Sequence, residues 1–175
     1  MTEPKDFELS LFPDPILRKQ TPKVATFDDE LVAITEGMIR RMHASSGVGL
    51  AAPQVGLNMR IFVMSPTGKE GEETVMINPE ILSRGRSVTS YEEGCLSFPG
   101  IYAEIVRPED CAVRFQTASG ETIEEAYQGF ASRVIQHEFD HLEGVLFTDR
   151  MTPADKQRLR RDLEDMVETY KRKRG

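Results

Sequence analysis

Apolar residues recur along the chain at two periods, and each period predicts a different kind of element. Over residues 27–43, Phe27, Leu31, Ile34, Met38 and Met42 fall three to four apart, the spacing of one face of an amphipathic helix of about four turns. Thr26, with Asp29 three residues on, predicts the cap of that helix. Shorter runs rich in β-branched and apolar residues predict strands over 59–64, 74–79 with further extended residues through 88, 101–106, 111–116 and 122–127. Between the first helix and the first strand, residues 47–56 hold Gly47, Gly49, Gly56 and Pro53, which precludes a regular helix and predicts a tight connection. Helical spacing returns near Gly129. Phe130, Val134, Ile135, Phe139 and Leu142 lie on more than one side of that helix, as expected for one buried in the middle of a domain, and Gly144 predicts its end. Thr152 and Pro153 cap a last helix with an apolar stripe of Leu159, Leu163, Met166, Val167 and Tyr170. At the other end, Leu11 to Leu17 carries two prolines and reads as an extended, wrapping segment with no catalytic part. Neither a repeat nor a linker interrupts the pattern. It predicts one α+β domain over residues 1–175.

Composition narrows the class without changing that picture. A chain of 175 residues with 39% hydrophobic and 29% charged residues resembles a soluble globular protein with a real core. No secretory signal opens the sequence and no apolar run approaches the roughly 18 residues of a membrane span, so a cytoplasmic protein is expected, with a mature organellar form as the other option. The net charge of −7 argues against a nucleic-acid surface over the whole molecule. Cys95 and Cys111 are too few for a disulfide framework.

The chemistry concentrates in His137-Glu138-Phe139-Asp140-His141. On a helix, positions four apart share a face, so His137 and His141 can aim both imidazoles at one metal ion with Glu138 beside them as a base. Two of the chain's three histidines belong to this motif. His43, without a partner at ligand spacing, reads as structural. A catalytic site of this type needs a third protein ligand. Cys111 lies in a strand and reads as core, whereas Cys95, beside Gly94 and followed by turn residues, is the better ligand. Gln54 is an amide in an otherwise apolar run and, if buried, requires a partner. The ligand types alone suggest zinc.

Three stretches together resemble the peptide deformylase family: residues 47–54 (GVGLAAPQ), 93–97 (EGCLS) and 136–141 (QHEFDH). The resemblance covers nearly the whole chain and implies small antiparallel β-sheets around a central metal-binding helix, with a C-terminal amphipathic helix. It implies a hydrolase that removes the formyl group from the initiator methionine of nascent polypeptides. Cys95, His137 and His141 would hold Fe2+, replaceable by Ni2+, Co2+ or Zn2+, with water at the fourth position. Glu138 would be the general acid/base, and Gln54 with the backbone N–H of Leu96 would stabilise the oxyanion. Gly47 and Gly49 would admit substrate backbone, Glu93 and Gly94 would belong to the same binding set, and Val48, Tyr91, Phe130 and Val134 would form the methionine pocket. Tyr102 occupies the place where many members carry an arginine bordering the substrate, as in the branch that includes the organellar enzymes. The expected partner is the N-formyl-Met nascent peptide bound by a monomer, with no membrane contact.

Two alternatives stand beside this one. A zinc metallopeptidase of the HExxH type needs a ligand further on, but Phe147 falls where one class has histidine, and Glu164, which would serve another, lies on the solvated face of the last helix. A non-catalytic, metal-stapled ribosome-binding module would be expected to show four protein ligands. The terminal Lys171-Arg172-Lys173-Arg174 complements a helix dipole and also suits a weak ribosome contact.

Overall fold

Helix α1 (Asp29–Ala44) begins later than its apolar pattern predicts because Asp28, not Thr26, is the cap: its carboxylate accepts a hydrogen bond from the Leu31 N–H at 3.0 Å. Phe27 packs against the core from outside the helix. The computed structural model describes residues 2–175, so Met1, the first residue of the expected 1–175 domain, lies outside the described residues.

Among the described residues seven strands form, five along the periodic runs and two outside them, and they divide between two antiparallel sheets. β1 (Gly49–Ala51), β2 (Ile61–Met64), β3 (Thr74–Arg84), β6 (Asp110–Gln116) and β7 (Thr122–Gln128) form one sheet in the order β1-β2-β3-β6-β7. β4 (Val88–Cys95) and β5 (Phe98–Pro108) form a separate two-stranded ribbon. β3 joins the predicted run 74–79 to the extended residues expected after it, because a register shift after Ile77, at Asn78 with φ 53°, lets the strand continue past the irregularity. The glycine-rich segment 47–56 is more structured than a plain connection. It contributes β1 and then a 3₁₀ turn, Ala52–Val55, closed by Gly56 in the left-handed region. Cys95, expected in a turn, is the last residue of β4, and the two-residue turn is Leu96-Ser97.

Helix α2 (Gly129–Leu142) packs between the large sheet and the ribbon. Ile135 and Leu142 are fully buried, each worth about 1.5–3 kcal/mol of apolar burial. The helix also buries Arg133, Gln136, Glu138, Asp140 and His141, so its polar face points into the protein too. Phe130, at its first turn, is 39% exposed. Beyond a 3₁₀ turn (Phe147–Arg150), α3 (Pro153–Arg174) starts at the Thr152 cap and seats Leu159, Leu163 and Met166 on a cluster built from Phe98, Ile101, Ala103 and Ile105 of β5 with Phe147. The N-terminal segment makes a 3₁₀ turn at Pro15–Arg18 and buries Leu17 in the same cluster. Among the described residues, no helix is long and apolar enough to cross a membrane.

Candidate metal centre

Two elements deliver one ligand set. His137 and His141 lie one turn apart on α2, and β4 ends beside them with Cys95, so the thiol and the two imidazoles each offer an atom within 4.8 Å of the others. Cys95 Sγ is 3.3 Å from His141 Nε2. One thiolate-forming sulfur and two imidazoles match the three-protein-ligand pattern of a catalytic transition-metal site. Glu164, the ligand that the peptidase alternative requires, is exposed on α3 and paired with Arg160 at 3.1 Å.

The ring of His137 is aimed by its other nitrogen. His137 Nδ1 lies 2.8 Å from Glu93 Oε1, which leaves Nε2 for the centre. Glu93 is itself clamped: Arg107 donates from Nε (2.6 Å) and Nη2 (3.0 Å), and Arg133 donates from Nη1 (2.6 Å). Arg107 reaches on to Asp140 Oδ2 at 2.9 Å, and Arg150 meets the same carboxylate through Nε (2.6 Å) and Nη2 (2.9 Å). A buried ion network of this kind holds geometry, because every carboxylate oxygen in it has a charged partner. Burial alone would raise the Glu93 carboxyl, but hydrogen bonds from His137 and Arg107, with the charge on Arg107, hold it at about 2. His141 is held well below the usual imidazole range by burial and by the neighbouring His137, which keeps it in the neutral, ligating form. Burial would also lower His137, yet its hydrogen bonds to Cys95 and Glu93 hold it well above that range; a cation bound at Nε2 would take the place of that proton.

Glu138, the residue after His137, lines the same side of the site and lies against Gly49 of β1, whose missing side chain makes room for it. Burial pushes its carboxyl up to about 7, and a divalent cation nearby would draw it back toward the ionised form. Glu138 Oε1 and His141 Nδ1 are the buried side-chain polar atoms without a hydrogen-bond partner among the described residues. An unpartnered carboxylate oxygen next to three convergent donors fits a bound cation and its water. Gln54 is 1% exposed. Its Oε1 accepts from the Ala51 N–H at 2.9 Å, which turns the amide nitrogen toward Cys95 Sγ (3.4 Å) and Ser97 Oγ (3.2 Å).

A cavity of about 490 Å³ opens over these groups. Gly47, Val48, Gly49, Glu93, Gly94 and Leu96 line it, with Tyr91, Phe130 and Val134 at one end. Tyr91 and Phe130 pack ring to ring at 5.5 Å, and the Arg133 guanidinium lies over Tyr91. Tyr102, 55% exposed, lays its ring over Gly94, where an added Cβ would meet Cε1 at 2.6 Å. Two residues expected to be structural have partners: His43 Nε2 is 2.6 Å from Glu73 Oε1, and Cys111 accepts from Ser132 Oγ at 3.3 Å.

Sequence reasoning missed Arg107, Arg133, Asp140, Arg150 and Ser97. A signal for Arg107 existed in the alternation of β5: Ile101, Ala103 and Ile105 are inward, and the next inward position is Arg107, an arginine on a core face. The N-terminal segment also has a part in the site that its proline content did not suggest. Ser97 Oγ donates to the Ser10 carbonyl at 2.8 Å, and the Ser10 N–H donates to the Gln54 carbonyl at 2.7 Å.

The chain is similar to known proteins over nearly its whole length. The family described as Polypeptide deformylase matches residues 7–157. "Peptide deformylase" of Thermotoga petrophila is 48% identical over 95% of this chain and 99% of its own length. "Peptide deformylase 1B, chloroplastic" of Oryza sativa subsp. japonica is 44% identical over 94% of this chain; the chain spans only 62% of that protein. The crystal structure of Arabidopsis thaliana peptide deformylase 1B with an inhibitor superposes with a TM-score of 0.92 at 42% identity, covering 95% of this chain and 93% of that one.

Proposed function

The chain belongs to the polypeptide deformylase family, and from that membership we propose that it hydrolyses the N-formyl group of the initiator methionine on nascent polypeptides, releasing formate. The observation that carries the reading is the convergence of Cys95, His137 and His141 on one point beside Glu138 and Gln54, under a cavity with an aromatic end. Iron(II), replaceable by nickel, cobalt or zinc, would be held by those three side chains and would supply a Lewis acid for the formyl carbonyl and a water of lowered pKa.

The rest is done by the chain's own groups. Glu138 takes a proton from the attacking water and delivers it to the methionine nitrogen as the C–N bond breaks, so the products are formate and a free amine. The Gln54 amide nitrogen and the Leu96 backbone N–H donate to the oxyanion that forms on the formyl oxygen. Val48, Tyr91, Phe130 and Val134 receive the methionine side chain, while Gly47 and Gly49 allow substrate backbone to approach closely. Glu93 and Gly94 frame the same pocket, Glu93 by holding His137 in place. Residues 1–175 act as one domain and as a monomer. Its place of action is the cytoplasm or an organelle, and the rice relative is described as chloroplastic. The basic end of α3 supports a weak contact with ribosomal RNA.

Anaerobic purification with metal analysis, followed by a formate-release assay on formyl-Met peptides and on unformylated peptides, tests the reading. Stoichiometric metal with formate release is expected; peptide-bond cleavage without formate release would sink it.

A further inference from the structure

A second groove, of about 690 Å³, lies between the N-terminal segment and α3. Phe7, Leu9 and Phe12 form one wall, and Met166, Thr169 and Tyr170 form the other. Leu9 and Pro99 line both this groove and the catalytic cavity, so the two are joined across a single saddle. The hydrolytic chemistry itself has no use for it.

The N-terminal segment, outside any helix or strand over residues 2–11, borders the groove with its backbone. Its alternate residues are fastened inward: the Ser10 N–H donates to the Gln54 carbonyl at 2.7 Å and the Phe12 N–H to the Ser97 carbonyl at 3.0 Å. The intervening N–H groups of Leu9 and Leu11 have no hydrogen-bond partner among the described residues. Backbone left unpaired in this way can accept another extended chain, and main-chain pairing is indifferent to sequence, as an enzyme for many nascent chains requires. Asp6, Glu8, Asp14 and Asp165 line the same groove with Lys173 and Arg174, the last 3.2 Å from Asp14, so carboxylates outnumber cations there. That acidic excess favours a neutral or basic peptide within the groove, and Lys171 and Arg172, outside its lining, are left for the contact with ribosomal RNA.

We propose that this groove binds the stretch of the substrate polypeptide downstream of formyl-methionine, paired along the N-terminal segment with apolar side chains against Phe7, Met166 and Tyr170. The proposal rests on the deformylase reading. It makes the enzyme prefer a chain long enough to cross the saddle at Leu9 and Pro99.

The test compares the metal-loaded wild type on a formyl-Met tripeptide and on a nine-residue formyl-Met peptide carrying leucine and lysine beyond its third position. A KM about tenfold lower for the longer peptide is expected, equivalent to about 1.4 kcal/mol. Thr169→Trp, which fills the groove, and Tyr170→Ala, which strips one wall, should each remove that advantage and leave tripeptide kcat and KM unchanged. A photo-cross-linker at the sixth peptide position should label the N-terminal segment or α3 in wild type and lose that label in Thr169→Trp. Equal KM for the two peptides, or an advantage that survives both variants, overturns the proposal. So does a Thr169→Trp variant that loses ribosome binding with peptide KM values unchanged, since that outcome gives the groove to the ribosome. A wild type that binds metal but releases no formate from the tripeptide defeats the deformylase reading, and this proposal with it.

Discussion

Gly49→Ala perturbs the proposed base without touching it chemically. A Cβ at position 49 would lie 2.6 Å from Glu138 Oε2 and 2.9 Å from Glu138 Cγ, where ordinary contact begins at 3.4 Å. Glu138 must therefore retreat by about 0.8 Å, and at 3% exposure it has no solvent to retreat into. Gly49 lies in β1, in extended backbone open to any residue, so the methyl group acts on Glu138 rather than on the fold. A displacement of this size at a proton-transferring group costs about 10²-fold in kcat/KM, or about 2.7 kcal/mol of transition-state stabilisation. Glu138→Ala sets the floor, with an expected loss of about 10² to 10⁴ and metal retained. The double variant should have a kcat no lower than Glu138→Ala, because the added methyl reaches the chemical step through that carboxylate, and any loss from crowding substrate backbone at position 49 should appear in KM. Formate release with formyl-Met peptides, metal content and thermal midpoint should be measured on all three. Gly49→Ala turnover within about threefold of wild type, at full metal content, would refute the assignment of Glu138 as a base held by that contact.

Other expectations follow from neighbouring contacts. Cys95→Ala should lower metal content sharply and Cys111→Ala should not, because only Cys95 lies with His137 and His141; metal analysis of the two purified variants decides it. Arg107→Met removes the partner of Glu93 and Asp140 in a buried network and should cost about 3–5 kcal/mol, a fall of roughly 6–20 °C in thermal midpoint. Arg114→Met, on an exposed pair with Glu124, should leave the midpoint nearly unchanged. The hydrogen bond from His43 holds the Glu73 carboxyl below its ordinary value of 4.5. A carboxyl depressed in the folded state adds stability above its unfolded pKa and loses it as pH falls through the folded one. Thermal midpoints measured against pH should show wild type ahead of His43→Ala near neutrality, with the gap closing below about pH 4.5; a gap that widens on acidification contradicts the pairing.

Local chemistry wrote much of this protein openly. The three-to-four spacing of Leu31, Ile34, Met38 and Met42 marks α1, and the four-residue step from His137 to His141 puts two imidazoles on one face of α2. Both are properties of a helix alone, so no distant residue is needed to read them. Cys95 could be singled out because its neighbours Gly94, Leu96 and Ser97 lack the alternation that makes Cys111 a strand residue. The cap at Asp28, by contrast, was misread as Thr26, since both residues have a side chain able to cap and only the path of the backbone decides which does.

What tertiary structure alone decided is how the ligands are held and where the polar residues go. Arg107 of β5 and Arg133 and Asp140 of α2 read individually as surface charges, yet they are buried and meet with Glu93 beneath His137, and the exposed Arg150 closes the network over Asp140. Isolated, each would be too costly to bury; together each charge has a partner, and that compensation is a sum over long-range contacts that no local pattern encodes. The same holds for Gly49, whose lack of a side chain matters because Glu138 arrives from 89 positions away to fill the space. Periodicity, being local, specifies elements and the motifs they carry; the site appears only when packing brings β1, the end of β4 and α2 to one point.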